Sequence, residues 1–257
     1  MPRSLEPAMD AAWPAPDRHE TGGWIFRAAG GVTQRANSIW PKDLHGRPIE
    51  ELSGLLIEAR DWYGSRRLPV IFQLSDEADG AAGLHALLDT ERFTRQSETL
   101  VMTRGAAGLP AQRHGAQAAE LSSAPSEDWM QVWWQVDGRG GDEQRRIALD
   151  ILSGCPSVYA LVRNNDGRPA AVGRLALPEA SSRGGIYCMA TIPEARRQGF
   201  AEAVRHSLLR AGHDSAVTDF WLQVTAANRE AQALYARAGF RVSGRYVYRQ
   251  ENSQAEC

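Results

Sequence analysis

The chain has 257 residues, of which 43% are hydrophobic and 23% are charged, and its formal net charge is −2 at pH 7. This composition is typical of a globular protein with one large domain or two ordinary ones. The near-neutral charge argues against nucleic acid or an anionic membrane surface as partner, and no apolar run is long enough to span a bilayer.

The cysteines and histidines follow no metal-binding or disulfide pattern. Cys155, Cys188 and Cys257 are scattered, and the six histidines lack a ligand spacing such as H-x-x-x-H. The first ten residues lack the apolar core of a signal peptide. We therefore expect a cytoplasmic protein with reduced thiols and no metal.

Short apolar segments and turn residues define the elements of the N-terminal half. Residues 22–28 and 32–38 are predicted to be paired strands around the Gly30-Gly31 turn. The periodicity then predicts a helix at 48–63, a strand at 68–74, a helix at 81–88 and a strand at 99–104.

Residues 105–126 are rich in Ala, Gly, Ser and Pro and poor in large apolar residues, which predicts a linker. The expected organisation is therefore an N-terminal domain at 1–104, the linker at 105–126 and a second domain at 127–257.

The second domain opens with Trp129, Val132, Trp133 and Val136, which share one face of a helix. The predicted order is α, α, β, β, β, α, β, α, β, which suits an α/β fold with a mixed sheet and helices on both faces. The elements after the first helix are predicted at 142–152, 157–163, 170–177, 185–192, 199–211, 220–224, 228–238 and 241–249.

The segment Arg196–Ala201 has the form R-x-x-G-x-A and joins a predicted strand to a predicted helix. Such a junction leaves backbone N–H groups unpaired at the positive end of the helix, where an anion such as phosphate is favoured. Gly199 permits close approach of the backbone, and Arg196 and Arg197 add positive charge. Taken alone, the pattern also fits an ordinary helix start with two solvated arginines.

A second motif, N-x-x-A-x-x-L-Y-x-x-x-G-F, is matched by Asn228, Ala231, Leu234, Tyr235, Gly239 and Phe240. With both motifs in this order, residues 127–250 resemble the GNAT superfamily of N-acetyltransferases. The resemblance implies a GNAT acyltransferase fold that uses acetyl-CoA as acyl donor and no metal.

The resemblance also implies which residues bind the donor. Backbone amides on a splayed strand would bind the pantetheine arm, and amides of the following turn would bind the pyrophosphate. The residues concerned are Met189, Ala190, Thr191, Arg196, Arg197, Gln198, Gly199, Phe200, Ala201 and Asn228. Asn228 fits equally well as the N-cap of its helix.

By the same resemblance Tyr235 would be the general acid that protonates the leaving thiolate, since a phenol is protonated at neutral pH. The alternative is a core tyrosine on an amphipathic helix. Many members carry a glutamate base on the strand before the turn, whereas Ile186–Met189 contains no carboxylate. The base would then be a water held by the backbone or a residue of the N-terminal half. Cys188 is expected to be a small buried hydrophobe rather than a nucleophile.

A short internal similarity suggests a tandem arrangement. Residues 86–93 align with residues 233–240, with Leu88 at the tyrosine position and Arg92 at the glycine position. The first half also lacks an R-x-x-G-x-A turn. It is therefore predicted to be a degenerate GNAT-like fold that does not bind CoA, although a chance match is the alternative.

The acceptor is expected between the two halves, where Arg35 and Asn37 could hold a carboxylate or could simply be solvated loop residues. Residues 24–41 resemble bacterial two-part GNAT proteins labelled N-acetylglutamate synthase-like, which would imply the amine of a small molecule such as glutamate. The alternatives are an acetyltransferase of a peptide or protein amine and a CoA-binding sensor without catalysis. The sequence leaves a monomer or a homodimer open.

Overall fold

The computed structural model describes residues 5–108, 118–179 and 181–252. Its helices are α1 (Glu6–Ala11), α2 (Ile49–Gly64), α3 (Ala81–Thr90), α4 (Glu127–Asp137), α5 (Asp142–Ser153), α6 (Phe200–Asp214) and α7 (Arg229–Arg237). Its strands are β1 (Asp17–Thr21), β2 (Trp24–Ala28), β3 (Trp40–Pro41), β4 (Ile71–Leu74), β5 (Thr94–Gly105), β6 (Glu120–Ser122), β7 (Ser157–Arg163), β8 (Pro169–Ala176), β9 (Arg183–Thr191), β10 (Asp219–Thr225) and β11 (Arg241–Gln250).

The strands form a three-stranded sheet, β1-β2-β3, and an eight-stranded sheet of order β4-β11-β5-β10-β9-β8-β7-β6. Within the large sheet only β9 and β10 pair in parallel, as their crossover through α6 requires. Helices α4 and α6 pack against β8 and β9. The side chains of β8 alternate between them, with Val172 in the core of α4 and Ala171 in that of α6.

The two halves of the chain exchange strands in the large sheet. Strand β5 lies between β10 and β11, so that Val101 is paired with Gln223 on one side and with Gly244 on the other. Strand β11 in turn pairs with β4, where Val247 faces Leu74. Neither half therefore completes its part of the sheet without a strand from the other.

The predicted repeat is present in three dimensions. The units β4-α3-β5 and β10-α7-β11 occupy corresponding positions on either side of the β5–β11 pair. After each helix an N–H bonds back to the same position, from Phe93 to Leu88 at 2.8 Å and from Phe240 to Tyr235 at 3.1 Å. Arg92 takes a positive φ of 60°, matching the 86° of Gly239. Leu88 thus stands where the second unit has its tyrosine.

The predicted strand at 32–38 is wrong. Strand β2 pairs instead with β1 and β3. The side chain of Asn37 accepts hydrogen bonds from the amides of Ala29 and Gly31, both at 2.8 Å, and donates to the carbonyl of Thr33 at 2.7 Å. These local bonds compete with a strand ladder and fold the segment into a compact loop.

The predicted linker contains β6, which pairs with β7 from Glu120↔Leu161 to Ser122↔Tyr159. Residues 109–117 of that linker lie outside the described residues. The domain boundaries stay a prediction, and the large sheet runs across them. In the described part of the chain, no helix has the length and apolarity to cross a bilayer.

The C-terminal half alone, residues 118–252, is expected not to unfold cooperatively, because it lacks the strand that lies between β10 and β11. Thermal circular dichroism tests this. Residues 1–108, supplied as a separate chain, should restore a cooperative transition. A sharp transition of the C-terminal half alone would contradict the importance of the exchanged strands.

Candidate active site

A β-bulge in β9 shapes the centre of the site. The register between β8 and β9 shifts between Val172 and Arg174, and Cys188 opposite has a positive φ of 53°. The carbonyl of Gly173 accepts a hydrogen bond from the indole Nε1 of Trp129 at 3.1 Å. Because a bulge disrupts the strand ladder locally, this bond from α4 stabilises the distortion.

Beyond the bulge, β9 and β10 separate. Their parallel pairing ends at Leu222↔Ile186, although β9 continues to Thr191 and β10 to Thr225. The facing backbone edges are therefore available to an extended ligand arm. At this point the Oε1 atom of Gln223 is buried without a hydrogen-bond partner among the described residues. The predicted splayed strand is thus present.

The R-x-x-G-x-A segment forms the N-terminus of α6, as predicted. Gly199 is the N-cap with a φ of 87°, and the first intrahelical bond runs from Ala203 N to Gly199 O at 3.0 Å. The amides of Phe200 and Ala201 therefore precede the helical ladder. A Cβ atom at Gly199 would meet no heavy atom within 4 Å, so the space beside this residue is open to a ligand.

The side chains of this turn hold it against its surroundings. Gln198 donates from Nε2 to the carbonyl of Glu194 at 2.9 Å, and Arg196 points back to the end of β9. Arg197 forms an ion pair of 2.5 Å with Glu230 of α7, and both side chains are largely exposed. An exposed pair of this kind contributes little to stability, so Arg197 can exchange its partner for phosphate at small cost.

Tyr235 is buried on α7, with its ring in an edge-to-face contact with Phe240 at 6.0 Å between centroids. Burial raises the pKa of its phenol to about 12, the charge of Asp137 adds to the shift, and Arg205 opposes it. The phenol therefore keeps its proton throughout the neutral range, as a proton donor to a thiolate must.

Arg205 connects α6 to α7. Its Nη1 donates to the carbonyl of Leu234 at 3.2 Å, one residue before Tyr235. The side chain is buried, and burial lowers the pKa of its guanidinium. This cation positions the backbone that carries the phenol and keeps positive charge beside it.

Asn228 is the N-cap of α7, because its Oδ1 accepts a hydrogen bond from Ala231 N at 3.0 Å. The structural alternative of the sequence analysis is therefore confirmed. Contact of Asn228 with CoA remains a prediction.

Cys188 is half-buried at the bulge. Burial raises the pKa of its thiol to about 12, against the opposing charges of Arg174 and Arg35. A thiol with this pKa is not ionised at neutral pH and is a poor nucleophile, which supports the expected packing role.

Arg35 and Asn37 have different environments. The guanidinium carbon of Arg35 lies 5.1 Å from the ring of Trp13 and 5.2 Å from that of Tyr187 on β9. Its Nε atom is buried without a partner among the described residues. Asn37 is only 3% exposed, and its amide is committed to the loop bonds described above. The acceptor hypothesis therefore rests on Arg35.

The residues that surround Arg35 were not predicted from the sequence. Trp13 and Tyr246 lie far apart in the chain, yet both act on Arg35 together with Tyr187. No motif joins them, because Trp13 follows α1 and Tyr246 is on β11, and only the fold brings them together. Arg174, also unpredicted, is fully buried and bonds to Ser157 and to the carbonyl of Ala12.

A family model described as “Probable histone acetyltransferase Rv0428c C-terminal” matches residues 2–249. The “Uncharacterized N-acetyltransferase YobR” of Bacillus subtilis (strain 168) is 26% identical over 251 residues, which is 96% of this chain and 97% of that protein. The “Probable histone acetyltransferase Rv0428c” of Mycobacterium tuberculosis is 30% identical over 135 residues, which is 52% of this chain but only 38% of that protein.

Solved structures share the fold. A “GCN5-related N-acetyltransferase from Kribbella flavida” superimposes with a TM-score of 0.70 at 16% identity, over 98% of this chain and 95% of that chain. A “Tandem GNAT protein from the clavulanic acid biosynthesis pathway” gives a TM-score of 0.66 at 12% identity, over 98% and 89%. These likenesses confirm the predicted GNAT fold and its tandem form.

The substitution Gly199→Leu is expected to weaken acetyl-CoA binding about tenfold or more, because its side chain would fill the open space at the helix N-terminus. Calorimetric titration with acetyl-CoA measures the effect. Because leucine would have to adopt the positive φ of Gly199, the substitution should also destabilise the folded protein by about 1–2 kcal/mol.

Gly167→Leu is the matched control, since Gly167 lies in the β7–β8 turn with a φ of 77° and open space around its Cβ position. It should lose similar stability and retain acetyl-CoA affinity. Equal acetyl-CoA affinity of Gly199→Leu and Gly167→Leu would refute the assignment of the N-terminus of α6 as the phosphate site.

Proposed function

This protein belongs to the family described as “Probable histone acetyltransferase Rv0428c C-terminal”, and on that premise we propose that it acetylates the primary amine of a small molecule bearing a carboxylate. Acetyl-CoA is the donor, and the amine attacks the thioester directly. The observation that carries the acceptor class is the unpaired Nε of Arg35 beside β9.

The donor side of this proposal is supported by three adjoining features. The splayed edges of β9 and β10 fit the pantetheine arm, and the open N-terminus of α6 fits the pyrophosphate. Tyr235 supplies the proton that the departing thiolate needs. Direct attack is favoured over an acyl-enzyme because the thiol of Cys188 is held un-ionised.

The proposed class of acceptor is supported by the positive charges beside the bulge. The charges of Arg35 and Arg174 both act on Cys188 at the bulge, but Arg174 is fully bonded to protein groups. A carboxylate is the natural partner for the unpaired Nε of Arg35, because a charged acceptor forms a charge-assisted hydrogen bond with a guanidinium donor. An amino acid such as glutamate carries both the amine and the carboxylate that this proposal requires.

A second candidate is a peptide or protein amine. The Mycobacterium tuberculosis relative is named a probable histone acetyltransferase, which favours a lysine side chain as acceptor. Cationic histone-like peptides would, however, be repelled by Arg35.

The deciding experiment is thiol release from acetyl-CoA with a panel of amino acids, polyamines, aminoglycosides and lysine peptides. Turnover confined to carboxylate-bearing amines supports the proposal, and turnover with lysine peptides alone supports the second candidate. Tight acetyl-CoA binding with no turnover on any amine would leave a CoA-binding sensor as the function.

Tyr235→Phe is expected to lower kcat about 100-fold or more while acetyl-CoA affinity stays unchanged, since only the proton donor is removed. The control is Tyr159→Phe, which removes a buried hydroxyl bonded to the carbonyl of Leu152 at 2.7 Å. That control should lose about 1 kcal/mol of stability and no activity. Wild-type kcat in Tyr235→Phe would exclude the general-acid role.

Arg35→Met is expected to raise KM about tenfold or more for an amino-acid acceptor, because a buried charge-assisted bond is lost. For the methyl ester of the same amino acid the variant and the wild type should have similar KM values. Steady-state kinetics on the two acceptors measure the difference. An equal rise in KM for both would show that Arg35 shapes the pocket without reading the carboxylate.

A further inference from the structure

Amine acetylation requires a proton acceptor, because an ammonium has no lone pair with which to attack a thioester. The strand Ile186–Met189 provides no carboxylate. Helix α4, which packs over β9, ends at Asp137. This acid belongs to none of the features assigned so far.

The spacing of residues along α4 places Asp137 on the helix face that packs against the sheet. Asp137 is four residues after Trp133 and seven after Met130, and both of those are buried against the sheet. The charge of Asp137 raises the pKa of the Tyr235 phenol on α7 and of the Cys188 thiol on β9. The end of α4 and Cys188 also pack against the same core cluster, so the carboxylate lies close to the bulge on the face of β9 that α4 covers.

The position is unfavourable for a structural carboxylate. Asp137 occupies the last turn of α4, where the helix dipole disfavours negative charge, and no basic residue stands in that turn. Desolvation by its neighbours raises the pKa of its carboxyl, and the charge of Arg139 opposes the shift. The residue is exposed, and within the described ranges its side chain has no hydrogen bond or ion pair, so the carboxylate is free to take up a proton.

We propose that Asp137 is the general base of the acetyl transfer, taking the proton of the acceptor ammonium directly or through one water. This inference rests on the proposed direct transfer. It places the acceptor amine between Asp137 and Tyr235 with its carboxylate toward Arg35.

The proton and electron balance is complete with these groups. Asp137 takes one proton from the ammonium, and the nitrogen lone pair forms the C–N bond at the thioester carbonyl. The C–S bond breaks with its electron pair on sulfur, and Tyr235 gives that sulfur its phenolic proton. The second nitrogen proton returns to the phenolate, and Asp137, which is exposed on one side, releases its proton to water.

The test compares Asp137→Asn, Asp137→Glu and the control Asp142→Asn, using the amine that wild-type protein turns over fastest in the panel above. Asp142 is an exposed acid at the start of α5, so the control makes the same charge change away from the site. The expected result for Asp137→Asn is a fall in kcat/KM of about 100-fold or more, partial recovery in Asp137→Glu, and unchanged acetyl-CoA affinity in all three.

The pH profile separates a base from a structural residue. Arg139 in the loop after α4 acts on the carboxyl of Asp137, and Asp137 in turn acts on Cys188 of β9 and Tyr235 of α7. Wild-type kcat/KM should fall as pH drops through the raised pKa of the Asp137 carboxyl. In Asp137→Asn the fall of kcat/KM at low pH should instead follow the pKa of the free acceptor amine.

Thermal stability provides a further readout. An acid whose pKa is raised on folding destabilises the folded protein at neutral pH, and the cost disappears as pH falls below its normal pKa. Asp137→Asn should therefore melt at or above the wild-type temperature at pH 7. A lower Tm together with lower activity would indicate a structural role and overturn the proposal.

Two kinetic outcomes also overturn it. Wild-type kcat/KM and pH profile in Asp137→Asn would exclude Asp137 while leaving the proposed acetyltransferase intact. Wild-type protein that binds acetyl-CoA but acetylates no amine would refute the proposed function, and the base with it.

Discussion

The exchange of β5 and β11 between the two halves is the constraint on which the rest of the structure depends. Because β5 of the first half lies between β10 and β11, the first half completes the sheet on which the second half carries the proposed donor site. The backbone bonds of both strands would otherwise be left at exposed edges. The same exchange brings Arg35 of the first half beside Tyr187 of the second.

Local sequence patterns were sufficient to predict the helices and strands of the C-terminal half. The hairpin around Asn164–Gly167, the helix that Gly199 begins and the helix that Asn228 caps are each encoded within a few neighbouring residues. Such signals need no knowledge of distant contacts. The similarity of residues 86–93 to 233–240 predicted the repeat in the same way, and the structure shows the same backbone bond after each helix, to Leu88 and to Tyr235.

Features set by long-range contacts were not predictable. The bulge at Cys188 has its glycine on the neighbouring strand, at Gly173, and its stabilising bond comes from Trp129 on another element. Residues 32–38 were predicted to be a strand because they follow the Gly30-Gly31 turn, whereas the side-chain amide of Asn37 bonds to nearby backbone groups and folds the segment into a loop. The surroundings of Arg35 and Asp137 depend on strand exchange and on helix packing, which no sequence window contains.

The hydrogen bond from Trp129 to Gly173 bears on how the proposed acetyl-CoA donor would bind. Since the indole is 1% exposed and anchored in the core, contacts internal to the protein hold the bulge of β9 that adjoins the opening between β9 and β10. The groove is preorganised, so none of the free energy of donor binding is consumed in separating the strands. Donor association should then proceed as rigid docking, with little change in backbone order.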